Sequence, residues 1–189
     1  IMGGRGSVIG SVLGALLAVV GTVVLLVQSS AEPLKLLSFG IYGVTLILLF
    51  TASTLLHAST ASPRVLQRLR IFDHSAIFLL IAGSYTPVLL VVLRPESPVL
   101  AWTLFWLVWL LALLGIFFKL FWIAAPRWLS TGIYLVMGWL ALVGIVPLVR
   151  MLSGGGLWWL VGGGLFYSVG AVIYALKRPD PFPGRFGYH

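Results

Sequence analysis

The chain contains no cysteine, so neither disulfides nor thiolate metal sites are open to it. Acidic residues are nearly as scarce, with four Asp and Glu among 189 residues. Charged residues of both signs reach only 8%, where a soluble domain carries roughly 25%. This poverty of charge excludes an ordinary soluble globular domain. What fills the chain instead is oil: 60% of residues are hydrophobic and the mean hydropathy is +1.11. The composition is that of a polytopic membrane protein.

The net charge of +8 does not make this a nucleic-acid binder. The basic residues sit in short gaps between apolar runs, where they act as topology signals. Six runs are long enough to cross a hydrocarbon layer of roughly 30 Å, which takes about 20 helical residues. They lie near 7–28, 37–58, 73–93, 98–120, 129–149 and 157–176. The first exceeds the apolar core of a signal peptide and is read as a retained span, although Ser29-Ser30-Ala31 weakly resembles a cleavage site. The expected fold class is all-α, a polytopic transmembrane helical bundle forming one membrane domain over 1–189.

Basic residues are distributed unevenly between the two sides. The N-terminus, the second and fourth loops and the tail hold Arg5, Arg64, Arg68, Arg70, Lys119, Arg127, Lys177, Arg178 and Arg185. The other loops hold Lys35, Arg94 and Arg150. The positive-inside rule then puts the N-terminus in the cytoplasm. With that topology His57, Asp73 and His189 all fall toward the cytoplasmic leaflet.

Smaller features are read as scaffold. Gly6, Gly10, Gly14, Ala18 and Thr22 form a small-residue stripe suited to close helix packing. Trp122, Trp128, Trp158 and Trp159 fit interfacial belts. Trp102, Trp106 and Trp109 form a helical stripe expected to face lipid or a packing partner. Pro87 should kink the third span, with Ser84 or Thr86 serving the freed carbonyls. Pro147 should mark an exit from the fifth. Gly154-Gly155-Gly156 reads as a flexible turn, Gly162-Gly163-Gly164 as a weak or tightly packed stretch, and the run from Lys177 to Gly184 as a stiff loop.

The chemistry-bearing stretch is Ser53-Thr-Leu-Leu-His57, read with Asp73-His74. Ser53 and His57 are four apart and share a helix face. An ionisable residue in a hydrophobic span is a functional candidate by default, because its burial is expensive. Three chemistries are open to such a pair. One is a zinc site whose metal activates water, one a proton relay, and one a serine nucleophile. The last is disfavoured, since no glycine-bracketed nucleophile elbow is present. Structural readings stand beside these: His57 as a helix-end histidine bonded to a carbonyl, Asp73 as an N-cap, Ser53 bonded back to its own helix. His74, roughly 100° round from Asp73, is read as structural.

These segments resemble the hemolysin III family, the bacterial branch of the progestin and adipoQ receptor family. The resemblance rests on Ser53-Thr-Leu-Leu-His57, Phe72-Asp73-His74-Ser75-Ala76-Ile77, Ile81-Ala82-Gly83-Ser84-Tyr85-Thr86-Pro87 and Phe186-Gly187-Tyr188-His189. It implies a seven-helix bundle with a cytoplasmic N-terminus and zinc near the cytoplasmic face. It further implies His57 and His189 as metal ligands, Asp73 as the partner of the zinc-bound water and Ser53 as a supporting group. His189 matches the first histidine of a His-x3-His motif, so the chain reads as a fragment ending before the seventh helix. By resemblance to the related alkaline ceramidases, the expected function is zinc-dependent hydrolysis of an amide bond in a membrane lipid. The expected partners are membrane lipid and a metal ion. The alternative is a receptor, channel or pore in which zinc is structural.

Overall fold

The computed structural model describes residues 5–176. Ten helical segments follow one another: α1 (Arg5–Gln28), α2 (Pro33–Ala58), α3 (Pro63–Pro87), a π-helical turn (Val88–Leu93), α4 (Arg94–Glu96), α5 (Pro98–Phe121), α6 (Arg127–Trp139), a 3-10 turn (Leu140–Gly144), α7 (Ile145–Met151) and α8 (Gly154–Leu176). Joined end to end they make six helices long and apolar enough to cross a membrane. No strand occurs among the described residues. The all-α polytopic bundle is thus the observed architecture.

Punctuation in the sequence explains most of the ends. Pro33, Pro63 and Pro98 occupy the first turns of α2, α3 and α5. There the missing N–H costs nothing and the fixed φ suits the helix. The third membrane helix starts at Pro63, ten residues before the sequence expectation. Arg64, Arg68 and Arg70 depress the hydropathy of that stretch without interrupting the helix. Gly154-Gly155-Gly156 is likewise not a turn. It forms the first turn of α8, with the Gly156 N–H donating to Ser153 Oγ at 3.2 Å as an N-cap.

The two prolines are accommodated differently. Pro87 cannot donate to Gly83 O, and the chain widens into the π-helical turn directly after it. Ser84 Oγ donates to Ile81 O at 2.8 Å and Thr86 Oγ1 to Ala82 O at 3.1 Å, so neither hydroxyl meets the Gly83 carbonyl. Pro147 does not end its span. It is the third residue of α7, and the regular helix has already broken into the 3-10 turn ahead of it. Tyr85 repairs that break from across the bundle. Its hydroxyl lies 2.9 Å from Met137 O and 2.7 Å from Gly138 O, and accepts from the Ala141 N–H at 2.7 Å.

Lipid tails provide no hydrophobic drive between helices, so close packing must hold them together. Glycines provide the sockets. Phe50 of α2 fills the space over Gly14 of α1, Thr22 of α1 that over Gly43, Thr45 of α2 that over Gly83 of α3, and Phe78 of α3 that over Gly115 of α5. Within the expected α1 stripe, Ala18 and Thr22 are buried and Gly14 is such a socket, while nothing lies within 4 Å of Gly10. The core centres on α3 and contains Phe78, Leu89, Leu93, Val108, Met137 and Leu148. By contrast, no residue of α8 between Gly154 and Ile173 is buried, and Gly162, Gly163 and Gly164 meet nothing within 4 Å.

The tryptophans of the α5 stripe divide between the outer face and the packing interface. Trp102 and Trp106 are exposed on the outer face of α5, whereas Trp109 turns inward and donates to Thr86 Oγ1 at 3.3 Å. Trp122, Trp128, Trp158 and Trp159 are exposed at or near helix ends.

Replacing Gly83 with leucine drives a side chain into Thr45, and the expected loss is about 1–3 kcal/mol of stability. Gly162→Ala should stay within about 0.5 kcal/mol of the parent. Tyr85→Phe leaves buried backbone groups without their hydroxyl partner and should cost about 1–3 kcal/mol. Unfolding curves of the three variants in one detergent read all three values.

Candidate functional site

The Thr45–Gly83 contact fixes the register of α2 against antiparallel α3. From Thr45, the twelve residues to His57 descend about 18 Å, and from Gly83 the ten residues back to Asp73 descend about 15 Å. His57 and Asp73 therefore reach the same end of the bundle at nearly the same depth. The loop from Ser59 to Ser62 makes this register possible. Ser59 is extended (φ −82°, ψ 132°), and the loop carries the chain past the end of α2 before α3 turns back. The first two turns of α3 stand beyond α2 as a result.

His57 lies one residue before the end of α2. Its Nδ1 is 2.8 Å from Ser53 O and 3.4 Å from Ser53 Oγ. A carbonyl can only accept, so Nδ1 carries the hydrogen and the neutral ring keeps its lone pair on Nε2. That tautomer is the one in which an imidazole binds a metal through Nε2, with the far nitrogen oriented by the protein. The carbonyl-bonded helix-end histidine is therefore correct as geometry, and the same bond prepares the other nitrogen for a ligand. Ser53 supports the ring chiefly through its main-chain oxygen. Its hydroxyl stands further away and makes no bond back onto its own helix among the described hydrogen bonds.

Asp73 is not a helix cap. The residue at the N-terminal boundary of α3 is Ser62, and Asp73 lies ten residues inside. Its side chain is 17% exposed, and Oδ2 stands 3.7 Å from His74 Nδ1. His74 Nδ1 points to Arg70 O at 2.9 Å, repeating the pattern of His57 on Ser53. The His74 carbonyl accepts from Tyr134 Oη at 3.3 Å, which ties α3 to α6 beside Asp73. His74 is thus built into the scaffold, in line with its structural reading.

The donor set suits a hard or borderline metal such as zinc: one imidazole lone pair and one carboxylate, without sulfur. Among the described residues no group of three or more such side chains gathers around a common point. His189, the other ligand implied by resemblance, lies outside the described residues, as do Lys177 to Gly184.

Sequence reasoning missed Lys119. It was counted only as a loop charge, yet it is 2% exposed and donates to Ser130 Oγ. The signal was available. Ala101, Leu104, Val108, Ala112 and Gly115 form the buried face of α5 at three- and four-residue steps, and the next step lands on Lys119.

These features define a polytopic helical membrane protein with a histidine and a carboxylate at nearly the same depth at one end of its bundle. Comparison with known proteins makes the class more specific. Residues 8–189 match the family described as Haemolysin-III related. The chain is 43% identical to "Hemolysin-3" of Bacillus cereus over 168 residues, which cover 88% of this chain and 75% of the relative. It is 44% identical to "Hemolysin-3 homolog" of Bacillus subtilis (strain 168) over 168 residues, covering 88% and 77%. The chain belongs to the haemolysin III family.

The ring orientation of His57 is open to direct test. Nitrogen NMR of labelled histidine should show an Nδ1–H tautomer for His57 in the parent and in Ser53→Ala alike, because the carbonyl rather than the hydroxyl holds the ring. An Nε2–H tautomer in the parent would contradict the arrangement.

Proposed function

We propose that this membrane protein is a zinc-dependent hydrolase acting on an amide bond of a membrane lipid. The supporting observation is the similar depth of His57 and Asp73, with the Nε2 lone pair of His57 left open by the bond from Nδ1 to Ser53 O. In this reading His57 and His189 hold the metal, and Asp73 stands beside it as general base. Zinc supplies Lewis-acid activation of water at neutral pH. The chain's own groups do the rest. Asp73 accepts the proton of the attacking water and returns it to the leaving amine. Ser53 keeps the His57 ring in its ligand tautomer.

The proposed setting is the bacterial plasma membrane, with the N-terminus in the cytoplasm. The excess of basic residues at the His57 end supports that orientation. A lipid can approach such a site from the inner leaflet without leaving the bilayer.

The second reading is a non-enzymatic receptor, channel or pore with structural zinc. It draws on the name Hemolysin-3 carried by both relatives, which denotes lysis of cells. Asp73→Asn in the complete protein separates the two. Under the hydrolase reading, turnover of a lipid amide falls by at least about a hundredfold, the usual worth of a positioned general base, while zinc content measured by elemental analysis is retained. Unchanged turnover removes Asp73 from the mechanism. Ion flux across liposomes that survives both His57→Ala and Asp73→Asn supports the pore.

A further inference from the structure

The two irregular membrane helices border one cavity. It has a volume of about 590 Å³, and its wall includes Pro87 and Val88, where the π-helical turn begins, and Ala141 and Leu142 of the 3-10 turn. Irregular backbone at membrane depth is tolerated where it is buried in protein or lines a cavity. π-helical turns recur at functional sites, and broken membrane helices recur at the binding sites of transporters. The volume falls within the range of small-molecule sites, about 300–1,000 Å³. The cavity is remote from His57: Tyr42 in its wall stands fifteen residues before it on α2, about 22 Å along the helix.

The wall selects the kind of molecule that fits. None of its described residues is charged. A buried charge without a partner is costly, so the occupant is neutral. Six aromatic side chains contribute to the wall: Phe39, Tyr42, Tyr85, Trp139, Trp159 and Tyr167. Such rings suit a flat conjugated ring, met in offset or edge contacts. Few of the polar groups can reach a ligand. The Tyr85 hydroxyl is engaged with Met137 O, Gly138 O and the Ala141 N–H, and the Tyr167 hydroxyl is enclosed away from the cavity. Ser84 Oγ donates its hydrogen to Ile81 O at 2.8 Å, and Trp139 Nε1 donates to Ser168 Oγ at 3.1 Å. The half-buried Tyr42 and the exposed Trp159 remain as donors, which matches a ligand with a carbonyl acceptor. α8 closes one side loosely. None of its residues between Gly154 and Ile173 is buried, and Gly163 and Gly164, both in the wall, have nothing within 4 Å of an added Cβ. A molecule dissolved in the bilayer can enter there without parting packed side chains.

We infer that this cavity binds a membrane-soluble quinone, its conjugated ring among the aromatic side chains, a carbonyl oxygen accepting from Tyr42 and its tail leaving past α8 into lipid. The inference concerns binding alone and does not rest on the hydrolase reading. The complete protein in detergent is titrated with decylubiquinone and with decylcyclohexane, which carries the same tail on a saturated ring without carbonyls. Binding is read by native mass spectrometry and thermal unfolding. The parent should hold one quinone per chain and prefer it to decylcyclohexane by at least about tenfold. Tyr42→Phe should weaken quinone binding by about three- to tenfold, the net worth of one hydrogen bond, and leave decylcyclohexane unaffected. Gly164→Phe, which places a ring in the wall, should lose the quinone. Gly162→Phe, on the same helix but outside the wall and with nothing within 4 Å, should keep it. Equal affinity for the two probes in the parent overturns the assignment, as does quinone binding that is unchanged in Gly164→Phe or equally lost in Gly162→Phe. A cavity filled by another stretch of the complete chain shows as no quinone uptake by the parent, which overturns it too. Should Gly164→Phe fail to fold, unchanged quinone affinity in Tyr42→Phe decides against the site.

Discussion

The structure depends on one contact, the methyl and hydroxyl of Thr45 seated against the bare α-carbon of Gly83. Without hydrophobic drive between helices in lipid, the register of two spans is set by where their backbones approach most closely. Here that approach fixes α2 against α3, and everything below it follows by helical rise. His57 and Asp73 come to nearly the same depth because similar lengths of helix, twelve and ten residues, separate them from this contact. The same logic recurs at Phe78 over Gly115, which sets α5 against α3 and brings Lys119 level with Ser75. The polar groups of this bundle are thus placed by apolar packing some distance away.

A second constraint is the need to satisfy backbone groups where no water reaches. Two of the six membrane helices are irregular, one at the π turn after Pro87 and one at the 3-10 turn before Pro147. Tyr85 links them. One hydroxyl serves two carbonyls and an amide N–H across the gap, so the irregularity in one span is met by a side chain next to the irregularity in the other. The two distortions are one feature of the fold.

Much of this was legible in the sequence, and the parts that were not share a cause. Apolar run length located the six membrane helices, and the motif Ser53-x3-His57 revealed a shared face. Run length failed at Pro63, because three arginines lower the hydropathy of a stretch that remains helical. That error moved the apparent start of α3 to Asp73 and made a cap seem plausible there. The proline at position 63 was the better boundary signal. Lys119 was hidden for the opposite reason: as a charge near the end of a span it looked like a loop residue, although the spacing of the small and apolar residues before it pointed inward. The pairing of Tyr85 with the α6–α7 break spans more than fifty residues and has no local signature. His189 lies beyond what the structure describes, so the ligand set rests on resemblance there.

The short extended loop after Ala58 lets α3 begin well past the end of α2, and that leading segment carries Arg64, Arg68 and Arg70 on an exposed surface. Each such cation near a membrane surface is worth about 1 kcal/mol of attraction to acidic lipid. The three arginines therefore set a positive potential at the end of the bundle where His57 and Asp73 lie. Its reach is a matter of the surrounding salt, and it fades as ionic strength rises.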